Sequence, residues 1–229
     1  TQLSPPKVAD LLADFIDALE LGPVTVVGSD SGGAISQMLA ARHPEKVAAM
    51  VLTNCDALDV YPPFPFNFLP PLARMPGGIA PLGLLMKAKP IRWATFRLLT
   101  AEPIPDAQLK AWLRPPSTNP AIRRDVDKVI GGLEKNQANE AAETLRNFDK
   151  PVLFTWGVKD RFFRLELAER LAAMLPDARI ARIEGGRTFV ALDDPAEVSR
   201  LIVEFMNERV APSGRSDAEG STLAGADGR

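Results

Sequence analysis

A single histidine, a single cysteine and a single tyrosine occur among the 229 residues of this chain: His43, Cys55 and Tyr61. A lone cysteine excludes an internal disulfide and fits a reducing compartment. With one histidine, any chemistry that needs an imidazole base must use His43 or do without. Basic residues are not in excess either. The 27 Lys and Arg stand against 29 Asp and Glu, so nucleic acid is not an expected partner. No apolar run approaches the roughly 18 residues that a membrane-spanning helix needs, and no charged-then-apolar leader opens the chain. These absences predict a soluble, cytoplasmic protein with no membrane partner, and they leave its oligomeric state open. What is present is ordinary globular composition, 46% hydrophobic and 24% charged, enough for one large core with or without an insertion.

Ser4-Pro5-Pro6 opens a predicted helix with Val8, Leu11, Leu12, Phe15, Ile16 and Leu19 at helical spacing. Proline suits a first turn, where its missing N–H would be unpaired anyway. The β-branched run at 24–27 predicts a buried strand, 28–33 a sharp turn, 34–42 a helix and 47–53 a second strand. Strand, helix and strand on short links predict a parallel βαβ unit. From 61 to 146 the character changes. Prolines stand at 62, 63, 65, 70, 71 and 76, and segments of helical composition follow at 91–100 and 107–113 without a strand signal. Strands are predicted again at 151–156 and 179–183, and helices at 165–175 and 196–210. Residues 211–229, rich in Ser, Gly, Ala and Asp without periodicity, are predicted to be disordered. The expected fold class is α/β: a mostly parallel sheet whose core, 1–58 and 149–210, is interrupted by a helical lid at 59–148.

Most of the functional signal lies in Val26-Val27-Gly28-Ser29-Asp30-Ser31-Gly32-Gly33. A residue held in a strained strand-to-helix turn needs neighbours without side chains two positions before and after it. Gly28 and Gly32 meet that need and centre the turn on Asp30. The other register centres Ser31 between Ser29 and Gly33, but a strand ending at Val27 favours Asp30. Such an aspartate can attack carbon as a covalent nucleophile, or it can simply cap the helix. The helix dipole and the Ser31 N–H favour negative charge there, keeping Asp30 ionised and supplying an oxyanion donor. The glycines fit neither Gly-x-Gly-x-x-Gly nor a loop ending Gly-Lys-Ser/Thr.

This segment resembles the nucleophile elbow of the α/β-hydrolases, Gly-x-nucleophile-x-Gly, in the aspartate version of the epoxide hydrolases and haloalkane dehalogenases. The stretch from Pro151 to Asp160 is similar to that family's late strand, which ends in Gly-x-x-Asp. The likeness implies that Asp160 is the acid that orients the catalytic histidine. The stretch from Ile183 to Pro195 resembles the loop that carries this histidine, with Phe189 and Asp194-Pro195 in place and Thr188 at the histidine's position. His43 cannot stand in, because a helix of twelve or so residues rising about 1.5 Å each separates it from the elbow by close to 20 Å.

The family also implies several strands before this point, including a His-Gly turn, so the chain is expected to lack the fold's N-terminal strands. Epoxide hydrolases of this type use lid tyrosines, and Tyr61 is alone here. Dehalogenases usually place tryptophan where Ser31 stands. Trp93, Trp112, Phe64, Phe66, Phe68 and Met86 fit an apolar pocket and helix packing equally. The resemblance implies a hydrolase of small apolar substrates with Asp30 as nucleophile, Asp160 as acid and no metal or cofactor. Without the histidine, hydrolysis of the ester intermediate is expected to lose the roughly 10²–10⁴-fold that general-base help contributes. Two alternatives stand beside it: a non-catalytic ligand-binding protein of the same fold, and a Rossmann-like nucleotide-binding domain.

Overall fold

Four strands lie side by side in chain order in the computed structural model, which describes residues 3–210: β1 (Val24–Asp30), β2 (Val47–Cys55), β3 (Val152–Gly157) and β4 (Ala178–Ile183). Every neighbouring pair is parallel. The tail expected to be disordered lies outside the described residues. Helix α1 (Pro5–Ala18) precedes β1, and α2 (Ser31–Arg42) links β1 to β2. The long β2–β3 connection holds α3 (Leu69–Arg74), α4 (Ala80–Leu85), α5 (Lys89–Leu99), α6 (Asp106–Thr118), α7 (Pro120–Gly131) and α8 (Lys135–Thr144). Helix α9 (Leu165–Ala172) links β3 to β4, and α10 (Val190–Asp193) and α11 (Pro195–Arg209) follow.

A parallel sheet is covered by helices on both faces, so its inner strands need apolar side chains on both sides. That is why β2 and β3 read as continuous apolar runs and are buried almost throughout. Alternate residues of β2 feed two cores. Met50 and Leu52 join one face with Ala13 of α1, Leu39 of α2 and Leu171 of α9, while Ala49 and Val51 meet Val198, Leu201 and Phe205 of α11 on the other. Helix α8 belongs to the first of these cores. Its Ala138, Ala141 and Ala142 are buried against it, and α8 packs on α2. Helices α3 to α7 pack mainly on one another, through the pairs α3–α7, α4–α6, α5–α6 and α6–α7.

The predicted turn over 28–33 is far tighter than expected. Strand β1 continues through Asp30 and α2 starts at Ser31, so the reversal is made by one residue. Pairing with β2 carries the extended backbone past the apolar run, with Gly28 opposite Leu52 and Asp30 opposite Cys55. Strand β1 is an edge of the sheet, and Val27 on it is 54% exposed.

Candidate active site

Asp30 has φ 52° and ψ −133°, a conformation that costs a residue with a side chain on the order of 1–3 kcal/mol. It stands at the N-cap of α2 without a side-chain capping hydrogen bond; the helix N–H that acts on its carboxylate is that of the adjacent Ser31. The strain falls on Asp30 and not on Ser31, which is the first residue of the helix. The close approach of strand and helix sets what the glycines do. A Cβ on Gly28 would lie 2.7 Å from Gly33 Cα and 2.8 Å from Gly32 O, and a Cβ on Gly33 would enter the side chain of Cys55. A Cβ on Gly32 would meet nothing within 4 Å, so the steric need expected there falls on Gly33 instead.

The carboxyl ends of β1, β2 and β3 bring together four polar side chains. Thr188, in the loop after β4, donates its hydroxyl to Asp160 Oδ1 at 3.1 Å. The same oxygen accepts the Phe162 N–H at 2.8 Å, and Oδ2 accepts from Asn54 Nδ2 at 3.0 Å. Asn54 also accepts the Gly157 N–H at 2.7 Å, tying the end of β2 to the end of β3. Burial raises the Asp160 carboxyl above its ordinary value, against the pull of these donors. Asp30 is also raised by burial, and the Ser31 N–H draws it back down.

Asn54 escaped the sequence reading, as did two further residues at this corner. Asp56 follows β2, is buried, and donates its N–H to the Asp30 carbonyl oxygen at 3.3 Å. Burial first, then repulsion from Asp30, pushes its carboxyl from 3.8 up to about 8. Gln37 of α2 donates to the Asp56 carbonyl at 2.9 Å and to the Gly33 carbonyl at 3.1 Å. The available signal was positional: Asn54-Cys55-Asp56 ends an apolar strand of a parallel sheet, where ligands of such sheets bind.

Asp30, Ser31, Asp56 and Thr188 line one cavity of about 250 Å³. Asp160 is not part of its wall and lies behind Thr188. Phe66, Leu69 and Phe162 separate this cavity from a larger apolar one of about 830 Å³ among the inserted helices. The rings of Phe66 and Phe162 meet at 5.3 Å and 59°. Phe64 and Met86 do not line the smaller cavity, and Trp93 and Trp112 line neither, Trp112 packing on Phe96. Tyr61 is buried with its hydroxyl on Gln137 Oε1 at 3.3 Å. His43 follows the last turn of α2, where its Nε2 sits 3.0 Å from Asp10 of α1.

The loop bearing Thr188 is fastened to the end of α5. Phe189 N–H donates to Leu99 O at 3.0 Å. The Arg187 guanidinium reaches the carbonyls of Arg97 at 2.8 Å and Thr100 at 3.1 Å. Asp193 accepts from Ala101 N at 2.7 Å and Arg187 N at 2.8 Å.

Residues 6–195 match the family described as the alpha/beta hydrolase fold. The chain belongs to that family. Membership excludes the Rossmann-like alternative, and the parallel sheet with its strained strand–helix turn is the local structure expected of an α/β-hydrolase. Among curated relatives, haloalkane dehalogenase 2 of Mycobacterium tuberculosis is 27% identical over 212 residues, covering 86% of this α/β-hydrolase and 68% of the relative. A 2-hydroxy-6-oxononadienedioate/2-hydroxy-6-oxononatrienedioate hydrolase of Paraburkholderia xenovorans is 25% identical over 203 residues, covering 85% and 66%. A crystal structure of an α/β-hydrolase fold protein from Burkholderia ambifaria superposes with a TM-score of 0.73 at 19% identity, covering 89% of this chain and 74% of that one. No helix among the described residues is long and apolar enough to cross a membrane.

Proposed function

We propose that this α/β-hydrolase acts on small apolar electrophiles, with Asp30 attacking carbon and forming an ester that water then hydrolyses. The observation that carries the reading is Asp30 itself, strained, uncapped and opening on the cavity beneath the inserted helices. Phe66, Leu69, Leu99, Ile130 and Phe162 give that cavity an apolar wall, which suits a substrate with few polar groups. Helices α3 to α7 act as its lid. The mycobacterial relative is named for haloalkanes, which supports carbon as the point of attack. Asp160 stands where the family's histidine-orienting acid stands, and Thr188 occupies the place of that histidine.

A second reading has one observation in its favour. Thr188 cannot accept a proton from water near neutral pH, so the site also suits a protein that binds its ligand without turnover.

Incubation with an epoxide, a haloalkane and an ester, followed by intact mass and peptide mapping, separates the two. An adduct on Asp30 that is absent from Asp30→Asn supports the first. Ligand-induced stabilisation with neither adduct nor product in any arm supports the second and removes the first.

A further inference from the structure

One buried carboxyl lies beside the nucleophile and has no role in that chemistry. Asp56 leaves the end of β2 as Asp30 leaves the end of β1, and the N–H of one on the carbonyl of the other fixes them side by side. Asp56 is 1% exposed, lines the same cavity as Asp30, and has no hydrogen-bond partner at Oδ1. Buried polar atoms are nearly always paired, so an orphan at a site points to a partner that arrives with the reaction. Asp160 cannot do the same work, because Thr188, Phe162 and Asn54 occupy its oxygens and Thr188 screens it from the cavity. The Thr188 hydrogen is given to Asp160, so toward the cavity Thr188 Oγ1 is an acceptor only.

We propose that Asp56 is the acid–base residue of this site and that the electrophile it serves is an epoxide. The proposal rests on Asp30 being the nucleophile. Asp56 starts protonated and Asp30 ionised. An Asp30 carboxylate oxygen attacks an epoxide carbon, the ring C–O bond breaks, and the ring oxygen takes the Asp56 proton. A hydroxyalkyl ester on Asp30 and a carboxylate on Asp56 result. Water, held by Thr188 Oγ1, attacks the Asp30 carboxyl carbon as Asp56 takes one of its protons. The tetrahedral intermediate collapses with cleavage of the ester C–O bond. The departing alkoxide is protonated by the new carboxylic acid at Asp30, giving the diol. Epoxide and water are consumed, the diol is released, and both aspartates return to their starting states. A haloalkane does not fit this cycle. Its halide leaves without a proton, so Asp56 stays protonated and cannot act as base on the ester.

The electrostatics agree with the order of these steps. The titratable groups facing Asp56 are Asp30 on β1, Cys55 on β2 and Tyr61 after it, and none is a cation. Burial and the Asp30 charge raise Asp56 to about 8, opposed by a hydrogen bond from the Ser31 side chain. The proton therefore resides on Asp56 at neutral pH; burial raises Asp30 as well, and the Ser31 N–H, which Asp56 lacks, pulls Asp30 back toward its charged form.

The test follows styrene oxide and 1-bromohexane with the whole chain, Asp56→Asn and Asp30→Asn, with thermal melts to verify folding. Styrene oxide turnover is expected to fall above about pH 8 as Asp56 ionises, and Asp56→Asn should lower it by at least about 100-fold, within the range of general acid–base effects. Bromohexane should alkylate Asp30 in the parent and in Asp56→Asn alike, and in the parent the ester should persist below pH 8. Unchanged styrene oxide turnover and pH profile in Asp56→Asn would overturn the role of Asp56 and leave Asp30 standing. Alkylation by bromohexane with neither adduct nor diol from styrene oxide would overturn the epoxide assignment. Absence of any Asp30 adduct in all arms, with turnover indifferent to Asp30→Asn, would overturn the nucleophile and this proposal with it.

Discussion

Thr188 and Asp160 share a hydrogen bond of 3.1 Å at the position where an imidazole and its orienting acid would meet. Histidine has a pKa of about 6.5 and can take a proton from water, which threonine cannot. Thr188→His would place such a ring against a carboxylate already held by Phe162 N and Asn54. We predict that this variant hydrolyses the Asp30 ester left by bromohexane at least about tenfold faster than the parent at pH 7, below the full range of general-base catalysis. In Asp30→Asn the gain should vanish. Release of hexanol no faster than from the parent would falsify the view of Thr188 as a replaced base.

Asp56 also has a consequence for stability. Its folded-state pKa is raised from 3.8 to about 8, so between those values the unfolded chain has lost a proton that the folded chain keeps. Fewer protons on the unfolded state means that stability falls as pH rises through this window. Asp56→Asn removes the titration. The melting temperature of the variant relative to the parent should therefore be higher at pH 8 than at pH 4. An equal difference at both pH values would contradict it.

The two glycines of the turn should behave oppositely. Gly33→Ala drives a methyl into Cys55, a buried overpacking that typically costs about 1–3 kcal/mol. Gly32→Ala meets open space in the first turn of α2 and should be neutral or stabilise by up to about 1 kcal/mol. Urea unfolding of both variants measures this. Equal losses would show that the close contact is not at Gly33.

Helix α1 shows an apolar stripe to solvent: Leu11, Phe15 and Leu19 are 50%, 57% and 52% exposed, at four-residue spacing. Among the described residues β1 is an edge of the sheet, and Val27 on it is exposed. Open edges and apolar patches attract other chains. The protein should self-associate with rising concentration in light scattering, and Phe15→Glu with Val27→Lys should reduce this. A monodisperse monomer with a sharp thermal transition would remove the prediction.

The inner strands could be read from the chain because burial on both faces demands the uninterrupted apolar runs 47–53 and 151–156. The stretches 24–27 and 179–183 also seeded strands. Both lie at the edges of the sheet, so 24–27 is partly exposed and not buried as expected. The boundaries were less legible. Nothing in Ser29-Asp30 shows that β1 continues to Asp30, since the ladder with β2 decides it. The reach of α8 was also hidden: its alanines look like solvent-facing helix in sequence, and only contact with α2 makes them core. Asp30, Asp160 and Thr188 were found through motif spacing. Asp56 and Asn54 belong to no such spacing, and their meaning comes from strands far apart in the chain ending at one corner.

The fastening of the Thr188 loop to the end of α5 couples the position of Thr188 to that of the inserted helices. Leu99, Thr100 and Ala101 are gripped at their backbone atoms, by the Phe189 N–H and by the side chains of Arg187 and Asp193. The opposite side is held by the contact of two rings, Phe66 against Phe162. Both rings line the smaller cavity as well as the larger one, so a molecule moving from the larger cavity to Asp30 would have to part this aromatic pair.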